Sequence, residues 1–175
     1  MRVPRERDPR GRPLNARPRD GLGRPLARGS EGGVARVPDD LVLPPLAALD
    51  EAQRLLAEGR PFHAHEILEG TWKSADADER DLWQGLAQLA VGLTHLLRGN
   101  RTGALTLLQR GRDRIASYAS SPPYAIDVAG LIGWADDLRA RLAAEPDGSP
   151  VRVRPQIPVL RTDRQYAGPA RPGPL

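Results

Sequence analysis

Leu82-Trp83-Gln84-Gly85-Leu86-Ala87-Gln88-Leu89-Ala90-Val91-Gly92-Leu93-Thr94-His95-Leu96-Leu97 runs without a charged side chain between Asp81 and Arg98. At 100° per residue, Leu82, Leu86, Leu89, Leu93, Leu96 and Leu97 fall on one face. Trp83, Ala87, Ala90 and Val91 widen that face. A helix apolar round most of its circumference is central and buried in a helical bundle. Gly85 and Gly92 stand seven apart on one side, where another backbone can approach closely. Gln84, Gln88 and His95 form the only strongly polar stripe, within about 40° on the helical wheel. Buried polar groups without partners cost stability, so the stripe needs a partner element.

The surrounding chain supplies further helices. One is expected from about Pro44 to Glu58, with Leu46, Leu49, Ala52, Leu55 and Leu56 as its apolar stripe. A second opens at Pro61, a favourable first-turn residue, and runs to Lys73 or Ser74. The central helix is expected over 77–98, stopped by Gly99-Asn100. A fourth covers about 102–119, and Arg110, Arg112, Asp113 and Arg114 read as its solvated end. A fifth begins near Asp127, a natural N-cap, and ends near Ala144. No segment alternates as a strand would. The fold class is therefore all-α: a compact bundle of about five helices with disordered Arg/Pro-rich tails. The boundaries are 1–38 for a basic arm, 39–145 for the bundle and 146–175 for an extended Pro-rich tail that can lie on it.

Charge follows the same division. Residues 1–38 carry ten arginines against four acids, residues 39–145 eleven bases against sixteen acids, and residues 146–175 five arginines against two acids. The overall charge of +4 thus belongs to the tails. Lysine occurs once, at Lys73, and the tails lack interleaved aromatics, so nucleic-acid binding is not expected. No run reaches the roughly 18 apolar residues of a membrane span, and no secretory signal is visible, which points to a cytoplasmic protein. The chain has no cysteine, which excludes disulfides and thiolate chemistry. A homo-oligomer stays open.

The chemistry concentrates in Phe62-His63-Ala64-His65-Glu66-Ile67-Leu68-Glu69-Gly70-Thr71-Trp72. His65 and Glu69 are i,i+4 and share a helix face, which Trp72 continues. Glu66 flanks that face beside Phe62, and His63 is expected to point to solvent. The His65/Glu66/Glu69 edge is expected to face Gln84, Gln88 and His95. His65, Glu69 and His95 are then candidate ligands for a divalent ion, with Glu66 as fourth ligand or base. The spacing lacks the second histidine of His-Glu-x-x-His. Without a metal, His65 or His95 would act as a general base oriented by Glu69, and Glu66 and His65 are the catalytic candidates. Trp72, Gln84 and Gln88 are the candidates for holding a cofactor or small ligand. The rival reading is a buried hydrogen-bond network that holds two helices in register in a non-enzymatic scaffold. Trp72, Trp83 and Trp134 read as core anchors.

Together, the motif at 62–72, Trp83-Gln84-Gly85-Leu86-Ala87-Gln88-Leu89-Ala90, His95 and Gly99-Asn100-Arg101-Thr102-Gly103-Ala104 resemble the bacterial and archaeal domain-of-unknown-function family 309. The resemblance covers about residues 45–145. It implies a small all-helical bundle of unestablished activity, with His65, Glu66, Glu69, Trp72, Gln84, Gln88 and His95 in a shared motif. Ala87 departs from the branched apolar residue usual there, with packing the expected consequence. The leading function is a metal- or small-ligand-binding helical protein, with hydrolysis as the chemistry such a site would support.

Overall fold

The computed structural model describes residues 18–27, 30, 33–34, 37–38 and 41–162. Five helices follow in order: α1 Pro45–Ala57, α2 Pro61–Ser74, α3 Arg80–Leu97, α4 Arg101–Ile115 and α5 Val128–Ala144. Single 3-10 turns at Ala116–Tyr118 and Pro123–Ala125 lie between α4 and α5. No strand forms among the described residues, which show three isolated bridges only. None of the helices is long and apolar enough to cross a membrane.

Local sequence sets the helix ends. Pro45 and Pro61 occupy first-turn positions where a missing N–H costs nothing. α3 starts at Arg80, three residues later than its periodicity suggests, because Glu79 N–H bonds back to Asp76 in a turn of its own. It ends where Gly99 takes φ +77° and Asn100 N–H returns to the His95 carbonyl. That left-handed step favours glycine and satisfies carbonyls at the helix end. Asn100 then caps α4 by accepting from Gly103 N–H at 2.9 Å. Asp127 does the same for α5 through Gly130 N–H at 2.9 Å.

α3 is the centre of the bundle. Leu82, Trp83, Leu86, Leu89, Leu93 and Leu96 are all buried, as the uncharged run requires. α4 packs on the side marked by glycine: a Cβ on Gly85 would meet the Gly111 carbonyl at 3.1 Å, and one on Gly92 the Leu108 nitrogen at 3.0 Å. Side-chain-free positions let the two backbones close, which is what the Gly85/Gly92 spacing predicts. α2 covers another face of α3, α1 packs on α2, and α5 packs on α4. The expected α1 stripe needs one correction: Leu46 is 47% exposed, because α1 meets the core one turn later, from Ala48 and Leu49.

Described segments on both sides of the helices, 18–27 and 158–162, pack on the bundle. Gln53 holds residues 158–160 by donating to the Pro158 carbonyl at 3.1 Å and accepting from Leu160 N–H at 2.8 Å. Leu160 is buried, and its carbonyl accepts from Asp127 N–H at 2.9 Å. Burial of such a leucine stabilises by about 1.5–3 kcal/mol. Within the arm expected to be disordered, residues 18–27 form a compact loop on α2. Asp20 Oδ1 accepts from the N–H groups of Leu22 and Arg24 at 2.9 and 2.8 Å. The guanidinium groups of Arg19 and Arg98 lie 5.3 and 5.6 Å from the Phe62 ring centroid. Gly23 lies so close to that ring that a Cβ there would stand 2.2 Å from it. Residues 1–17 and 163–175 lie outside the described set.

Candidate functional site

α2 and α3 bring their polar edges to one open recess of about 160 Å³. His65, Glu69 and Trp72 come from α2, and Gln84 and Gln88 from α3. Ala87 and Val91 of α3 and Leu107 of α4 complete the lining. The juxtaposition of the two helices follows the sequence pattern. The part played by Leu107 does not, because only the α3–α4 crossing carries it there.

His65 is oriented by its own helix. Its Nδ1 lies 2.9 Å from the Phe62 carbonyl oxygen, so Nδ1 carries the proton and donates. Its Nε2 stands 3.3 Å from Glu69 Oε2. In the neutral ring, Nε2 is an unshared pair beside a carboxylate; in the cation it donates to Glu69. Glu69 also pairs with Lys73 Nζ at 3.0 Å on its solvent side. Both pairs are half-exposed and contribute modestly to stability. Across the recess, Gln88 Oε1 is shielded from solvent and has no hydrogen-bond partner. A shielded amide oxygen without a partner costs about 1–3 kcal/mol. No hydrogen bond links His65 or Glu69 to Gln84 or Gln88 among the described residues.

The remaining motif residues lie elsewhere. His95 sits nearly two turns beyond Gln88, about 10 Å along the α3 axis. Asn100 Nδ2 donates to its Nδ1 at 2.8 Å. Burial, then the nearby Arg98, holds the His95 ring below the ordinary histidine pKa. Glu66 does not line the recess. His63 corrects the expectation that it meets solvent: it is 1% exposed. Burial, then Arg60, pushes its pKa down, and the Gly21 carbonyl opposes them. The periodicity of α2 alone places His63 on an outer face, and the returning N-terminal loop is what covers it. Among the described residues, no three of His, Asp and Glu stand close enough to hold a metal together.

A second polar cluster was not signalled by any motif. The Tyr124 hydroxyl donates to Glu79, whose oxygens lie at 2.8 and 3.0 Å, and Trp83 Nε1 donates to Glu79 Oε2 at 3.1 Å. Tyr124 and Ala125 both have positive φ, 56° and 54°. Non-glycine residues rarely adopt that conformation, which costs about 1–3 kcal/mol each. The Glu79 contacts and the Ala125 carbonyl, which accepts from Thr162 N–H at 2.9 Å, hold the turn.

The architecture defines the protein as a small all-helical bundle with one polar, Trp-walled recess between α2 and α3. Residues 49–107 match the model of a family described as a domain of unknown function, DUF309, and that segment is the family's domain in this chain. The match runs from within α1 to Leu107 and includes every residue lining the recess. No curated protein and no solved structure matches the chain.

Proposed function

We propose that the recess between α2 and α3 binds a small, donor-rich organic ligand, such as an amine or amide, lying against Trp72. The observation that carries this reading is the convergence of the Glu69 carboxylate, the His65 ring and the Gln84 and Gln88 amides on that one recess. These groups accept hydrogen bonds, and Trp72, Ala87, Val91 and Leu107 supply an apolar floor. At about 160 Å³ the recess lies below the range that encloses drug-sized molecules, which limits the ligand to a small fragment or the end of a longer one.

A divalent ion is the second reading, favoured by one observation. Nδ1–H of His65 bonds to a backbone carbonyl, the arrangement that fixes a metal-binding imidazole with Nε2 free to ligate. His65 and Glu69 would supply two donors. His95, already bonded to Asn100, would not be the third.

The test is a saturation-transfer NMR screen of small amines and amides on the full chain. It is run beside metal content by mass spectrometry on protein purified without chelator. Wild type, His65→Ala and Gln88→Leu are compared. Amine or amide binding that disappears in both variants is the expected result. No binder sensitive to either variant would overturn the ligand reading. Near-stoichiometric metal lost in His65→Ala would replace it with the metal reading.

A further inference from the structure

The end of α3 forms the wall of a second recess, of about 380 Å³, where both tails of the chain meet. Four arginines line it: Arg98 from the end of α3, Arg24 from the N-terminal loop, and Arg152 and Arg154 from the C-terminal segment. Leu97, Val151 and Val153 contribute an apolar side. Among the described residues, no carboxylate lines the recess.

This arrangement differs from the rest of the surface. Elsewhere many arginines pair with acids, as in Arg101–Asp147 at 3.1 Å, Arg112–Asp136 at 3.2 Å and Arg161–Asp50 at 2.9 Å, whereas Arg19 and Arg80 meet backbone carbonyls. Among the described residues, none of Arg24, Arg98, Arg152 and Arg154 forms an ion pair. The nearby acid, Asp20, has its Oδ1 committed to the backbone of its own loop. Burial weakens the hold of Arg98 on its proton. Asp20 opposes that effect, and Arg24 and Arg19 add to it by repulsion. Gathering like charges is unfavourable unless an anion offsets it.

The Arg98 guanidinium and the backbone that carries Arg152 and Arg154 are also held in place. Arg98 donates through Nε to the Leu22 carbonyl at 2.9 Å, with Nη2 on the same oxygen. Glu145 Oε1 accepts from the N–H groups of Arg152 and Val153 at 2.7 and 2.9 Å, which fixes the backbone of the extended segment. Arg141 reaches the Arg154 carbonyl at 3.3 Å. Val151 and Val153 pack on the core, so the alternating Arg152 and Arg154 share the outward face. Fixed donors lose less entropy on binding.

We infer that this recess binds a phosphate-bearing small molecule, its phosphate held by Arg98, Arg152 and Arg154 and its organic part against Leu97, Val151 and Val153. The planar forks of Arg152 and Arg154 match phosphate oxygens two at a time, Arg98 adds its charge and Nη1 because its Nε and Nη2 hold the Leu22 carbonyl, and several cations call for a multiply charged anion. The volume falls in the range of small-molecule sites. No aromatic ring lines the recess for bases to stack on, which argues against single-stranded nucleic acid. The inference stands independently of the α2–α3 recess.

Isothermal titration of the full chain tests it, with inorganic pyrophosphate, adenosine diphosphate, citrate and a short single-stranded oligonucleotide as probes. Pyrophosphate and adenosine diphosphate should bind one to one, the latter more tightly. The double variant Arg152→Ala/Arg154→Ala should weaken both by about tenfold or more. Its melting temperature should stay near wild type, since both side chains are exposed. The matching lysine variant should recover only part of the loss, and Arg110→Ala should change nothing. Absence of heat with both phosphate probes would overturn the inference, as would binding indifferent to the double variant. Citrate binding as tightly as pyrophosphate would reduce the site to a general anion patch. Oligonucleotide binding without adenosine diphosphate binding would make it a nucleic-acid surface instead.

Discussion

A Cβ on Gly111 would stand 2.8 Å from the carbonyl oxygen of Gly85, and a Cβ on Gly85 would stand 3.1 Å from the carbonyl oxygen of Gly111. The two glycines meet backbone to backbone where α3 crosses α4. This contact sets how far Leu107 of α4 stands from the α2–α3 recess it helps to line.

Gly111→Ala should therefore destabilise, although alanine is the better helix former by about 1 kcal/mol. Backbone cannot swing aside as a side chain can, so separation of the helices should cost about 1–3 kcal/mol net in chemical denaturation. Gly133→Ala in α5 is the control: nothing lies within 4 Å of the added Cβ. It should stabilise by about 0.5–1 kcal/mol. Equal effects of the two substitutions would remove the close approach from the account.

Glu79 is the common acceptor of Tyr124 and the fully buried Trp83. Glu79→Ala leaves the indole N–H without its acceptor and frees a strained turn, and should cost about 2–3 kcal/mol. Tyr124→Phe removes one of the hydrogen bonds and should cost about 1 kcal/mol. The Glu79 contact, then burial, raises the Tyr124 pKa above its ordinary value of 10.0. Spectrophotometric titration should accordingly find a tyrosine that ionises late in wild type and earlier in Glu79→Ala.

The bundle was legible in the sequence because helical period, proline, glycine and N-cap residues act over a few positions. The uncharged run of α3 alone marks it as central. The site was half legible. His65 and Glu69 share a recess with Gln84 and Gln88 because those pairs follow from two helix faces. His95 lies on nearly the same stripe of α3, yet the wheel ignores the distance along the axis, and Asn100 claims it. His63 was misread because its cover comes from Gly21, some forty positions away in a Pro-rich arm with no periodicity. The arginine recess was invisible for the same reason, being assembled from three distant segments.

Ala87 lines the recess. Ala87→Leu should push methyl groups into the space between His65 and Leu107. Stability should stay within about 1 kcal/mol of wild type, because the added group buries itself in open space. Amine and amide fragments should no longer bind in the NMR screen. Fragment binding that survives a filled recess would place the ligand elsewhere.

His63 makes folding sensitive to mild acid. Burial and Arg60 hold its folded pKa below the ordinary histidine value of 6.5, so the folded protein keeps the ring neutral. The unfolded chain binds the proton first. A lowered folded pKa thus contributes stability that is present above about pH 6.5 and is lost as pH falls toward the folded value. His95 titrates in the same direction. Unfolding free energy should fall between about pH 7.5 and about pH 5.5, where few carboxylates titrate. His63→Gln should flatten that fall without abolishing it. Deletion of residues 1–27 should flatten it too, since it uncovers the ring and removes the repulsion of Arg19 together with the opposing Gly21 carbonyl and Asp20. A slope that is unchanged in both variants would assign the acid sensitivity to His95, where the pressure comes from burial and Arg98.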